Sequence, residues 1–396
     1  MKRLESVDAL RGLAILLVVI FHYVNHALSP VFLEANPLVG KLVLQVTSLA
    51  WAGVDLFFVI SGFLIGSIFI KNGDAENFVS VYFARRALRI VPMYAVTLLA
   101  FLAFLHFSEL PTMPGGDWLF DGFFGLQWYV LFIQNIAIAL NGDGGPNWLG
   151  ITWSLAVEEQ FYVLSAVMFL TCSRRTVIGI CLVGILVIAP VSRLALDHLG
   201  GWHAYYALLP SRADLFCCGI LIALAMSSPA GRRQVTDALS RRPLWVLGAL
   251  LALIVMVKLQ GWISSSVMVS VGYTGIMAVA GGLLLSALVG LPWTAPLSNS
   301  VILRWLGLRC FSIYLLHMPV QGMVYLLLLG SEPAVDSWWG WLLQVVILAS
   351  TLGLSAIAWL AVERPFIRIG ARLRYRPSVS MEESRAVDVV AARVRA

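Results

Sequence analysis

The chain has 396 residues, 60% of them hydrophobic and 12% charged, against roughly 25% charged in an average soluble domain. An ordinary cytosolic enzyme is excluded, because apolar runs of about 18 residues or more recur, long enough to cross about 30 Å of hydrocarbon. The formal charge of +6 comes from 27 basic and 21 acidic residues; it lies in short clusters between apolar runs and leaves no basic domain to grip nucleic acid.

In chain order, hydropathy and Pro/Gly punctuation predict about ten spans, at roughly 9–29, 45–70, 90–107, 151–171, 177–192, 206–227, 243–258, 267–289, 304–328 and 340–362. With Lys2 and Arg3 on the cytoplasmic side, the even-numbered connections and the C-terminus are also inside. They then collect nearly every arginine: Arg85, Arg86 and Arg89, Arg174 and Arg175, Arg232, Arg233, Arg241 and Arg242, and those from Arg364 to Arg376. Lys41, Arg193 and Lys258 are almost the only positive charges left outside. The expected fold class is therefore an all-α polytopic membrane protein, N-in and C-in, in the plasma (inner) membrane.

An apolar stretch at 116–140 is interrupted by Asp117, Asp121, Gln127, Gln134 and Asn135. It is expected to be a re-entrant or interfacial segment on the outer side, since an eleventh span would invert the charge bias of everything after it. The first span is too long for a cleaved signal and contains Arg11 and His22. Residues 1–365 are expected to form one transmembrane domain and residues 366–396 a mobile, basic cytoplasmic tail. No loop is long enough to fold alone, so any chemistry is in or at the membrane. Five cysteines with no CxxC pair argue against a disulfide framework or thiolate metal site. No internal repeat supports the inverted-repeat architecture of a secondary transporter.

An ionisable group in hydrocarbon costs several kcal/mol unless paired or hydrated, so each polar residue inside a span needs a reason. Arg11 and His22 are eleven residues apart, which leaves about 20° of angular offset and about 16 Å along one helix face. Asp8 is placed to pair with Arg11. By helical rise, Asp55 lies about 13–15 Å below the outer surface, Glu158 and His22 each about 10 Å, and His317 also in the outer half. Two histidines and two carboxylates thus fall in one layer of four helices and are expected to share a site. There a carboxylate would fix the imidazole tautomer and hold its pKa near neutrality, as a general base requires.

A second constellation is the inner loop from Tyr82 through Arg85, Arg86 and Arg89 to Pro92 and Tyr94. Guanidinium clusters at a membrane surface match phosphate oxygens, although topology anchoring or contact with anionic lipid is the plainer reading of this loop alone. The two constellations together suggest a polyphosphate ligand held inside and a base-assisted reaction near the outside.

The motifs resemble acyltransferase family 3. Arg11-x10-His22, the run from Trp51 to Leu64, Arg85-Arg86-x-x-Arg89-Ile-x-Pro92 and Thr152-Trp-Ser-Leu-Ala-Val-Glu-Glu-Gln-Phe-Tyr162 appear in that family's order. Pro210-Ser-Arg-Ala-Asp214, Tyr314-Leu-Leu-His317-x-Pro319 and Glu363-Arg-Pro365 follow, so the resemblance covers about residues 5–368. It implies an integral-membrane enzyme that moves an acyl group, usually acetyl from acetyl-CoA, to a hydroxyl of a sugar or of another small acceptor. Carried over, His22 matches the catalytic histidine, Arg11 its partner, and Arg85 and Arg89, with Arg86 and Tyr82 beside them, the donor-binding loop. Glu158 and Tyr162 fall in the Glu-Gln-Phe-Tyr motif. Cys310 departs from the pattern, since many relatives carry Ser there.

On this reading His22 is the general base, with Asp55 or Glu158 to orient it and Arg11 facing the donor. Trp153, Ser154, Tyr162, Arg212, Asp214 and His317 are supporting or acceptor-side candidates. No metal is expected: His22 and His26 at i, i+4 lack the glutamate of a His-Glu-x-x-His helix. Ser61 lacks a Gly-x-Ser-x-Gly elbow, which argues against a hydrolase nucleophile. Gly62 and Gly66 read as close helix packing. Trp118, Trp128, Trp148, Trp202, Trp262, Trp338, Trp339 and Trp341 read mainly as an interfacial belt, some near 116–150 as sugar-stacking candidates. The expected partners are a short acyl-CoA from the cytoplasmic side, membrane lipids and a hydroxyl acceptor, preferably carbohydrate; a macrolide-like metabolite is the alternative acceptor. A transporter whose buried charges line a pathway is the alternative of another class.

Overall fold

The computed structural model describes residues 5–241 and 268–377; the span expected at 243–258 and the tail beyond 377 lie outside the described residues. In lipid a chain must satisfy its backbone N–H and C=O groups internally, and the apolar runs do so as helix. The long helices are α1 (Glu5–Ile20, continued by a π turn, Phe21–Asn25), α2 (Gly53–Asn72), α3 (Phe78–Phe107) and α4 (Trp153–Thr171). They are followed by α5 (Arg174–Ala207, through a π turn at Gly184–Ile188), α6 (Leu209–Met226) and α7 (Tyr273–Val289). Next come α8 (Val301–Leu329), α9 (Trp338–Ala358) and α10 (Arg364–Arg372). Among the described residues there is no strand, only an isolated bridge between Leu28 and Val335.

Among the described residues, seven helical stretches are long and apolar enough to cross a bilayer, eight if α7 and the helix Pro292–Ser298, bent by 100° from it, count as one. α4 is not among them, because Glu158, Glu159 and Gln160 lower its hydropathy. Large apolar side chains such as Leu99, Leu186 and Ile302 point outward, as expected where the surrounding solvent is lipid. The protein is an all-helical, multi-pass membrane protein.

Three stretches differ from the sequence expectation, and a fourth adds detail to it. The inner loop before residue 90 is helix, because α3 begins at Phe78 and carries Arg85, Arg86 and Arg89 on its first turns; hydropathy saw only its apolar end, while Ala, Leu and Arg are good helix formers. Residues 116–140, whose re-entrant or interfacial reading nothing contradicts, resolve into three short helices, Gly116–Phe120, Leu126–Val130 and Gln134–Asn141, broken first where Gly122 and Gly125 take positive φ and then at Phe132, also at positive φ. The outer loop expected at 193–205 is the end of α5, kinked at Gly201 with φ 67°. The start of the expected tail is ordered: past α10, Leu373 O accepts from Arg85 Nε at 3.1 Å, and the Tyr375 ring stacks on Phe78 with centroids 5.6 Å apart.

Two glycine-mediated crossings set the interior. A methyl group added to Gly12 would run into the Leu303 carbonyl, and one added to Gly307 into the Asp8 carbonyl, so α1 and α8 touch backbone to backbone. Gly62 meets Phe216 O and Gly219 meets Val59 O in the same manner, which joins α2 to α6. Ser300 caps the start of α8 by accepting from Leu303 N at 3.2 Å.

Gly307→Ala is therefore expected to force the α1–α8 pair apart, at a cost of about 1–3 kcal/mol by overpacking, and to lower the midpoint of thermal unfolding in detergent. Gly179→Ala, where the added methyl meets nothing within 4 Å, serves as the control. Equal midpoints for the two variants would refute the close crossing.

Candidate active site

The α1–α8 crossing brings two histidines together. His22 Nδ1 lies 3.2 Å from His317 Nε2, with ring centroids 4.9 Å apart. His22 sits in the π turn Phe21–Asn25, a local widening often found at functional positions. The hydrogen-bond pattern assigns the tautomers. His317 Nδ1 is 2.7 Å from the Tyr314 carbonyl, which can only accept, so Nδ1 carries the proton and Nε2 keeps its lone pair. His22 Nδ1 is 2.9 Å from the Val18 carbonyl and therefore donates, shared between that oxygen and His317 Nε2. The Nε2 lone pair of His22 is left free as a base. Tyr23 OH donates to the His317 carbonyl at 2.7 Å and lies 2.8 Å from Thr351 Oγ1, which pins α8 at this level.

His22 opens into a cavity of about 1410 Å³ lined also by His26, Trp51, Trp153, Trp202, Tyr206 and Tyr314. A second cavity of about 700 Å³ holds Arg11, Arg86, Arg89, Ser61, Ser154, Glu158, Tyr162 and Cys310. Val54 and Tyr314 line both cavities, so the two share a wall. Tyr314 is fixed there by its hydroxyl, 2.6 Å from Ser154 Oγ and 2.6 Å from the Ile151 carbonyl.

The second cavity is cationic. The ion pairs among the described residues are Arg193–Asp214, Arg212–Asp55 and Arg304–Glu5, so none of its three guanidinium groups is committed to a carboxylate. Arg86 lies over the Tyr162 ring at 4.8 Å, and its Nη1 is 3.5 Å from the Tyr162 hydroxyl. Glu158 accepts from both Ser61 and Tyr162. Such a site can hold phosphate oxygens through planar, charge-assisted donors.

The residues singled out from the sequence thus occupy three places. His22 and His317 are together, and Trp153 lines their cavity. Arg11, Arg86, Arg89, Glu158, Ser154 and Tyr162 surround the cationic cavity. Asp55 is in neither: buried, it pairs with Arg212 at 3.1 Å, and Asp214 pairs with Arg193 at 2.8 Å. The neighbour of the His22 imidazole is accordingly another imidazole, where the sequence suggested a carboxylate. Arg85 turns away to Leu373, and Tyr82 packs behind the cavity between Phe69 and Phe78, with its hydroxyl 3.4 Å from the Tyr162 carbonyl. Sequence reasoning missed Tyr314 and Tyr206, which carry no charge to single them out. Arg193, counted from the sequence only as one of the few outer-side charges, has a buried side chain that pairs with Asp214 on the next helix.

A family model described as an acyltransferase domain, that of acyltransferase family 3, matches residues 4–360. The peptidoglycan O-acetyltransferase OatA of Listeria monocytogenes is 24% identical over 399 residues, covering 93% of this chain and 56% of that protein. A putative O-acetyltransferase of Staphylococcus aureus (strain COL) is 24% identical, covering 98% and 62%. Nodulation protein 10 of Rhizobium leguminosarum bv. viciae is 29% identical over 357 residues, covering 85% and 88%. The chain therefore spans about 56–62% of the length of the first two relatives. No solved structure matches it. With nearly its whole length matched by that model, the chain belongs to the acyltransferase 3 family.

Proposed function

We propose that this protein is an O-acyltransferase of the plasma (inner) membrane that moves an acetyl or similarly short acyl group from acyl-CoA to a hydroxyl of a glycan or glycolipid. The observation that carries the reading is the free Nε2 of His22, presented to one cavity while three guanidinium groups face the adjoining one. Arg11, Arg86 and Arg89 would hold the donor phosphates at the cytoplasmic side, and Arg85 would serve the docked segment after α10. From Arg11 to His22 is about 16 Å of helix, a length comparable with an extended pantetheine arm, which would carry the thioester past Val54 and Tyr314. The orientation fits the arginine distribution. It also fits the parallel packing of α1 with α8 and of α2 with α6, which pairs expected spans of like direction.

In the transfer step the acceptor hydroxyl gives its proton to His22 Nε2 as its oxygen attacks the thioester carbonyl carbon. The C–S bond then breaks, and the departing CoA thiolate takes the proton back. A hydroxyl is a poor nucleophile at neutral pH, and a positioned base contributes roughly 10²–10⁴ in rate. His317 acts through His22: its Nε2 accepts from His22 Nδ1 and so keeps the reactive tautomer. The peptidoglycan O-acetyltransferase among the relatives supports a carbohydrate acceptor.

With radiolabelled acetyl-CoA and purified protein, His22→Ala should lower acyl transfer by about 10²–10⁴ while membrane insertion persists; full transfer by this variant would sink the mechanism. His317→Gln, whose amide oxygen can still accept from His22 Nδ1, should keep more of kcat than His317→Ala, with KM for both substrates little changed. Equal losses would argue against tautomer control. Arg86→Gln and Arg89→Gln should each raise KM for acetyl-CoA about tenfold or more, the scale of a lost charged hydrogen bond, whereas Arg85→Gln should not. A raised donor KM in Arg85→Gln alone would move the phosphate site.

A further inference from the structure

The floor of the histidine-side cavity has a construction that proton transfer does not explain. Trp51, Trp153 and Trp202 surround Tyr206, with ring centroids 6.2, 4.8 and 6.0 Å from it, and all four line the cavity that holds His22. Behind them lies Arg212, 1% exposed and not among the lining residues. Its guanidinium stands 4.3 Å from the Tyr206 ring and 5.8 Å from that of Trp153. Its Nε donates to the Tyr206 carbonyl at 3.0 Å, and Asp55 neutralises it from α2.

A buried ion pair is weak as a source of stability, because desolvating two charges offsets their attraction. A guanidinium packed over three rings, those of Tyr206, Trp153 and, at 4.5 Å, Tyr273, does have a geometric effect: it fixes their planes, and two of the three, Tyr206 and Trp153, line the cavity. Flat, electron-rich ring faces with polar tips are the surface that binds the C–H-bearing face of a pyranose while leaving its hydroxyl edges free. Here that surface shares a cavity with the base nitrogen that a hydroxyl must reach.

We propose that Trp153, Trp202 and Tyr206 form a platform for one sugar ring of the acceptor, and that the buried Asp55–Arg212 pair positions this platform beside His22. The assignment rests on the glycan-acylating reading above and names the acceptor site within it. Asp55 and Arg212 are positioning residues, acting through the aromatic rings.

The test is calorimetric titration of chitotetraose into the full-length protein in lipid nanodiscs. Saturable binding is expected, weakened about tenfold or more by Trp202→Ala and by Tyr206→Ala, kept within about twofold by Tyr206→Phe, and unaffected by His22→Ala. Trp202 is 46% exposed, so its replacement leaves the fold intact and decides the matter if the Tyr206 variants fail to fold. Arg212→Lys, which keeps the charge and loses the planar fork, should weaken sugar binding without changing acetyl-CoA binding. No saturable binding up to about 10 mM, or binding insensitive to both ring deletions, overturns the platform. Binding that behaves as expected while no acetyl passes from acetyl-CoA to the sugar sinks the enzyme reading and leaves the platform standing.

Discussion

The interior is governed by two parallel helix pairs in which backbone meets backbone at glycine. In each pair the close contact and the functional contact keep the same register. Gly12 stands to Gly307 as His22 stands to His317, at an offset of 295 residues. Gly62 stands to Gly219 as Asp55 stands to Arg212, at an offset of 157. Parallel helices of equal rise hold such a register, so a contact at one level dictates which side chains meet ten residues, or about 15 Å, farther along. The site is built at a distance by the small residues that let these helices approach.

Electrostatics divides what packing assembles. Buried carboxylates and guanidinium groups on α2, α5 and α6 neutralise one another in the Asp55–Arg212 and Arg193–Asp214 pairs. On α1 and α3 the arginines are left to face a cavity whose one acidic lining residue, Glu158, is occupied by two hydroxyls. The histidine side holds aromatic rings and imidazoles. The arginine-lined chamber and the aromatic one thus meet at Val54 and Tyr314, whose hydroxyl is committed to Ser154 and Ile151.

Much of this was legible in the residues. Long apolar runs announced the helices, and a few ionisable groups within them picked out His22, Arg11, Glu158, Asp55 and His317. Their motif order indicated the family that the family model then matched. Depth along an axis is one coordinate, however, and side chains at equal depth meet only if rotation and neighbouring helix also agree. His22, His317, Asp55 and Glu158, placed in one layer by helical rise, occupy three environments. Arg85 and Arg89 share a face by i, i+4 spacing, but Arg86 and Arg89 line the cavity while the Leu373 carbonyl after α10 captures Arg85. Hydropathy was least informative where helix and polarity coincide, at the start of α3 and the end of α5, since it reports lipid contact and not backbone conformation. Uncharged residues such as Tyr206 and Tyr314 acquire meaning only from what surrounds them.

The wall that Val54 and Tyr314 put between the two cavities has an evolutionary consequence. Substitutions in the aromatic chamber leave the arginine chamber untouched, because the lining residues of the two overlap so little. One chamber can therefore change while the other is kept, and under the function proposed above a lineage could change what it modifies without reinventing how it is supplied. Relatives bearing names as different as a peptidoglycan O-acetyltransferase and a nodulation protein are what such modular inheritance would leave behind.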